Sequence, residues 1–149
     1  MKSNYDLQAG HSTQYITKGM ELLNSGDKHL ALKELRKGAN SFLYLLNTSN
    51  NPNEMMNAFT QAMNAINLMQ ETTEQEYLSV MNITSNITNI VRKDLLNFFS
   101  ITKQAIDYYK NLGDFYLDLA TKNDHDKIVL LNTAKSAYKT ELWLIVKVS

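Results

Sequence analysis

The sequence predicts an all-α protein of about six antiparallel helices, stacked as helical hairpins. A single proline and five scattered glycines leave too few turn signals for a β-sandwich or barrel, which needs one about every eight to twelve residues. Apolar residues recur at three- and four-residue steps through most of the chain, the spacing that lines one face of a helix. The stretches between them carry helix stops and starts rather than hairpin turns. Hydrophobic residues make up 44% of the 149, which excludes a disordered chain and allows a buried core. The organisation expected is a loose arm over residues 1–11 and one helical domain over 12–149, with a subdivision into 12–71 and 73–149 left open.

The first helix is expected to begin at Ser12 or Thr13, since no periodic face precedes them, and to place Ile16, Met20 and Leu23 on one side. Asn24-Ser25-Gly26 stops it, because Gly26 suits the left-handed residue that closes a helix, and Asp27 can cap the next. The second helix carries Leu30, Ala31, Leu35, Ala39, Phe42, Leu43 and Leu46, opposed by Lys28, Lys33, Glu34 and Lys37. Asn47 to Pro52 is the clearest loop. It ends in a helix start with Asn51 as cap, Pro52 in the first position and Glu54 in the third.

The third helix shows Met55, Ala58, Phe59, Ala62, Ile66 and Met69. Thr73-Glu74-Gln75-Glu76 reads as a capping box that opens a fourth, with Leu78, Met81, Ile87, Ile90, Val91, Leu95 and Phe98. Its Asn-rich, β-branched middle, Asn82 to Asn89, needs packing to stay helical. After a break at 99–102, a fifth helix presents a wide face of Ala105, Tyr108, Tyr109, Leu112, Phe115, Tyr116, Leu119 and Ala120. Lys122 to Asp126 ends it, and a sixth carries Ile128, Leu131, Ala134, Ala137, Tyr138 and Leu142.

Fifteen basic and fifteen acidic residues sum to a formal charge of zero, so no basic footprint is offered to nucleic acid. The absence of cysteine removes disulfides, thiolate zinc sites and thiol catalysis. His11, His29 and His125 stand on separate segments, none beside a Gly-x-Ser-x-Gly nucleophile turn, and no glycine-rich phosphate loop is present. Asp124-His125-Asp126 has metal-ligand types, but neighbours in one loop rarely converge on an ion, and a solvated turn capping the sixth helix is the expected use. No catalytic residue, cofactor or metal is therefore assigned. An enzyme or small-ligand protein with an unrecognised site is the alternative from another class. Met1 to Asp6 lacks the apolar stretch of a signal peptide and no run of about eighteen apolar residues could span a membrane, so a cytoplasmic protein is expected. Met55, Met56, Met63 and Met69 could line an adaptable peptide groove, but core filling is the expected use, as it is for Tyr108, Tyr109, Phe115 and Tyr116.

Tyr108-Tyr109-Lys110-Asn111-Leu112-Gly113-Asp114-Phe115-Tyr116, then Leu119-Ala120 and the acidic loop at Asp124, then Ala137-Tyr138-Lys139, follow one another on two consecutive helices. A Tyr-x-Lys, a Gly-Asp-aromatic step, a Leu-Ala pair, an acidic loop and an Ala-Tyr in this order resemble the 14-3-3 family over residues 103–142. The resemblance implies stacked antiparallel helices and a protein-interaction role. It also implies a phosphopeptide clamp built from a Lys and an Arg on the third helix and an Arg-Tyr pair on the fifth. With Phe59 in the place of the family's Tyr, the clamp positions hold Thr60, Asn67, Leu117 and Asp118. None is cationic, Asp118 repels a phosphate, and the chain has only two arginines, Arg36 and Arg92. The implied protein is an adaptor whose phosphate clamp is degraded, and which ends where the family continues with further helices.

The first half resembles other families. Its first helix, the Asn24 to Asp27 turn and the helix from Leu30 to Leu46, with a third to match, are similar to a microtubule-interacting-and-trafficking domain or a tetratricopeptide repeat. Tandem units of that kind would bind helical or extended peptide motifs in a groove between helices. At the other end, Leu142 to Ser149 is apolar on nearly every side, and such a helix is normally buried. Trp143, Leu144 and Ile145 are therefore expected to be covered by the N-terminal arm, a partner protein or another copy, with self-association through this helix the favoured outcome. The function expected is that of a non-enzymatic adaptor with protein or peptide partners.

Overall fold

The computed structural model describes the backbone of residues 4–49, 51–83 and 89–148. Among these residues there are five helices and no strand: α1 (Asn4–Asn24), α2 (Lys28–Leu45), α3 (Pro52–Ile83), α4 (Asn89–Lys122) and α5 (Lys127–Val148). They form two compact units, Met1–Thr72 and Thr73–Ser149. The first contains α1, α2 and the first part of α3, and the second contains the remainder of α3, α4 and α5.

The all-α class is as predicted, whereas the helix count and three boundaries differ, two of the boundaries for one chemical reason. A Ser or Thr caps a helix when its oxygen accepts from an N–H ahead of it, but within a helix the same hydroxyl donates back to the carbonyl four residues behind. α1 starts at Asn4 and not at Ser12 or Thr13, with Ser12 Oγ donating to the Gln8 carbonyl (3.0 Å) and Thr13 Oγ1 to that of Ala9 (2.8 Å). The arm expected over 1–11 is thus helical from Asn4. It is also tied down, since Asn57 Nδ2 of α3 donates to the Tyr5 hydroxyl (3.0 Å). The break expected at 99–102 is absent, with Thr102 Oγ1 donating to the Phe98 carbonyl (2.9 Å) inside α4. α3 runs through the expected capping box to Ile83, burying Thr72 and Thr73, and the Thr73 hydroxyl has no partner. No Gly or Pro lies near either place to stop the helix. Residues 84–88 lie outside the described residues, as do the side chains of Leu78, Met81, Ile87, Ile90, Val91 and Leu95.

The other boundaries follow the sequence. Gly26 takes a positive φ of 86°, and the Asp27 N–H reaches the Leu22 carbonyl (2.9 Å) while the Gly26 N–H reaches that of Leu23 (3.1 Å), closing α1. Asp27 Oδ1 then accepts from the Leu30 N–H (3.2 Å) and caps α2. Asn51 Oδ1 accepts from the Asn53 N–H (2.9 Å) in front of Pro52, and Ser49 Oγ donates to Glu54 (2.8 Å). Between α4 and α5, Asn123 Oδ1 accepts from the Asp126 N–H (3.2 Å).

In the first unit α1 meets α2 at two glycines. Gly19 lies against Leu35 and Gly38 against Ile16, so close that a Cβ added at either would come within 2.7 Å of the facing side chain. Backbones approach most closely where a residue has no side chain, and this sets the buried side of α1 as Ser12, Ile16 and Gly19. Met20, expected in the core, is turned outward, as is Leu30 of α2. The rest of the predicted α2 stripe is buried, and so are Met55, Ala58, Phe59, Ala62, Ile66 and Met69 of α3.

In the second unit α5 buries Leu131, Ala134, Ala137, Tyr138, Leu142 and Ile145, while Ile128 is exposed. α4 buries Ile106, Gly113 and Ala120, which recur at seven-residue steps. Of the wide face expected here only Ala120 is buried, and Tyr108 and Phe115 are exposed rather than in the core. Gly113 explains the choice. The Tyr138 ring lies over it, with room for no Cβ (2.6 Å from Tyr138 Cδ1), and the Tyr138 hydroxyl donates to Asp114 Oδ1 (2.6 Å).

Candidate interaction surface

Glu141 was not among the candidate residues, and it is the most unusual polar group in the second unit. It is fully buried on α5 with neither carboxylate oxygen bonded. Burial pushes its carboxyl up to about 8, against the pull of Lys110, with Asp114 and Asp107 adding to the rise. Burial and the bond to Asp114 likewise raise the Tyr138 hydroxyl. A signal for Glu141 exists in the sequence: Ala134, Tyr138, Glu141 and Ile145 continue one helical stripe. No histidine joins this group, since His11, His29 and His125 are all exposed on other segments. Among the described residues no cluster of three or more His, Asp or Glu could hold a metal ion. Nor is any helix among them long and apolar enough to cross a membrane.

The sequence-derived clamp positions divide between the units, Thr60 and Asn67 in the first and Leu117 and Asp118 in the second. Thr60 is exposed, and its hydroxyl is used on the Met56 carbonyl (3.0 Å). Asn67 is exposed, Leu117 is half-buried, and exposed Asp118 pairs with Lys122 (3.0 Å). The C-terminal trio also separates. Trp143 is exposed beneath the Lys147 ammonium, which lies 5.0 Å from the ring centroid, and Leu144 is half-buried. Ile145 is wholly buried and so cannot belong to an exposed surface, because α5 packs one face into the unit although it is apolar on both.

α4 supplies the larger surface. Phe98, Ile101, Ala105, Tyr108, Leu112, Phe115 and Leu119 recur at alternating three- and four-residue steps, a mean of about 3.5 that keeps a seam straight between two helices. Phe98, Ile101, Tyr108 and Phe115 are 58%, 67%, 60% and 57% exposed. At about 100° per residue this stripe lies about 120° around the helix from the Ile106, Gly113 and Ala120 seam that meets α5. A third side of α4 carries Lys103, which reaches Glu74 of α3 (3.8 Å). The edges of the stripe are Asn97, Gln104 and Asn111 on one side and Thr102, Tyr109 and Tyr116 on the other, with Asp118 the one charge among them. In the first unit, His11, Gln14, Tyr15, Lys18, Glu34 and Lys37 line a shallow open groove. Lys37 is committed to Glu34 there (3.5 Å) and lies over the Tyr15 ring.

No protein-family model, curated protein or solved structure matches this chain.

Proposed function

We propose that this chain is a non-enzymatic protein-interaction module that engages an amphipathic helical segment. The α4 heptad stripe carries this reading, because its exposed members Phe98, Ile101, Tyr108 and Phe115, flanked by the half-buried Ala105, Leu112 and Leu119, lose free energy in water until another surface covers them. The tandem form of the adaptor, with three helical segments in each half, is supported by the division into Met1–Thr72 and Thr73–Ser149. The 14-3-3-like form draws on the Gly113, Asp114 and Tyr138 contact, which brings together residues of the resembling motif. In either form the clamp positions Thr60, Asn67, Leu117 and Asp118 supply no cation for a phosphate. Trp143 and Leu144 form a second, smaller contact on α5, and the reading extends to a cytoplasmic adaptor.

The test is a titration of the intact chain with a fluorescent amphipathic peptide bearing leucine at the two apolar heptad positions. A serine version and its phosphoserine twin are run beside it. Saturable binding that is lost in Ile101→Lys, with equal affinities for the twins, is expected. Absence of binding by a chain that sediments as a monomer, or binding untouched by Ile101→Lys, removes the α4 surface, whereas a dimer held through the stripe competes with the peptide and lowers its apparent affinity. A tenfold or greater gain on phosphorylation, about 1.4 kcal/mol, would show that a working phosphate clamp exists elsewhere.

A further inference from the structure

Resting on that reading, we infer that the helix covering the α4 stripe is α4 of a second copy of this chain, running antiparallel. The part of the stripe from Ile101 to Leu119 is about 27 Å long at the rise of an α-helix, long enough for a two-helix seam. Partner choice in such seams is set largely by charges along the edges, where opposite signs admit a partner and like signs reject one. The edges here are Asn, Gln, Thr and Tyr, and the single charge, Asp118, is paired with Lys122 within its own chain (3.0 Å). An identical helix therefore meets no like-charge penalty, and the formal charge of zero on the whole chain adds no repulsion between copies.

The order of side-chain sizes selects the antiparallel direction. Placing two copies head to tail about the level of Lys110 sets Phe115 opposite Ala105, Tyr108 opposite Leu112 and Ile101 opposite Leu119. The Phe115 ring then faces the smallest residue, Ala105, which is how facing layers fill space without voids. A parallel arrangement would set Ala105 on Ala105 and Phe115 on Phe115, leaving a gap at one level and a clash at the other.

Sedimentation equilibrium of the intact chain tests this. A dimer is expected, and Ile101→Lys with Phe115→Lys should weaken it at least about a hundredfold. Both positions are exposed, so the helical circular dichroism should stay unchanged. The chain has no cysteine, so single cysteines report on direction. Copies carrying Ala105→Cys, mixed with copies carrying Phe115→Cys and oxidised by copper in air, should give the mixed disulfide in preference to either self-pair. A chain that stays monomeric overturns the inference. So does a dimer that survives both lysines but falls apart with Trp143→Asp, or cysteines that pair only with themselves. A monomer that still binds the leucine-heptad peptide in an Ile101-dependent way overturns the second copy while leaving the interaction surface standing, and failure of both experiments removes both.

Discussion

Glu141 is packed between α4 and α5 with both oxygens buried and unbonded, an arrangement tolerated only while the carboxyl keeps its proton. Its ordinary value of 4.5 is pushed up to about 8 by burial, so the folded chain holds a proton that the unfolded chain has released over this interval. A group raised in this way contributes fully below 4.5, and its contribution falls as pH climbs toward 8. Thermal or urea unfolding across this range should show stability declining with pH in the intact chain. Glu141→Leu should flatten the decline and add about 1–3 kcal/mol near the upper end, because a matched apolar side chain has no charge to desolvate. An unchanged slope in Glu141→Leu would mean that water or a rearranged partner reaches the carboxyl. The sequence places Glu141 on a helical stripe, yet only the approach of α4 shows that the stripe is buried on both flanks of this residue.

At the scale of elements, the turns at Gly26 and Asn51-Pro52 were legible because their signals act on the backbone itself. A left-handed φ favours glycine, and a proline at the first helical position lacks a donor that would be orphaned anyway. Ser and Thr are ambiguous, since one hydroxyl serves as cap acceptor or as a donor to the preceding turn, and Ser12, Thr13 and Thr102 do the latter. Thr73 separates the two roles experimentally. As a buried interior residue with an unpartnered hydroxyl, its replacement in the isosteric Thr73→Val, which keeps the packed shape, should stabilise the chain by about 0.5–1 kcal/mol through loss of an unbonded polar atom. As a cap, the same change would cost about 1 kcal/mol. The sign of the shift in the urea midpoint distinguishes one long α3 from two helices.

Across the whole molecule, balanced charge and an uncharged stripe imply association driven by apolar contact. The dimer proposed for α4 should therefore hold, with little change in affinity, as sodium chloride is raised from about 0.05 to about 0.5 M, whereas a seam built on ion pairs would weaken as screening shortens. Sedimentation at the two salt levels measures this, and a steep loss would point to charges outside the stripe. What the sequence determined by itself is the helical class, the turns at Gly26, Asn51-Pro52 and Asn123 to Asp126, and the buried stripe of α3, because each rests on local backbone chemistry or on one unambiguous apolar face. What only the tertiary structure decided is which of two apolar faces α4 buries. Both satisfy helical periodicity, and the choice fell to Gly113, whose missing side chain lets the Tyr138 ring approach and leaves Ile101, Tyr108 and Phe115 facing outward.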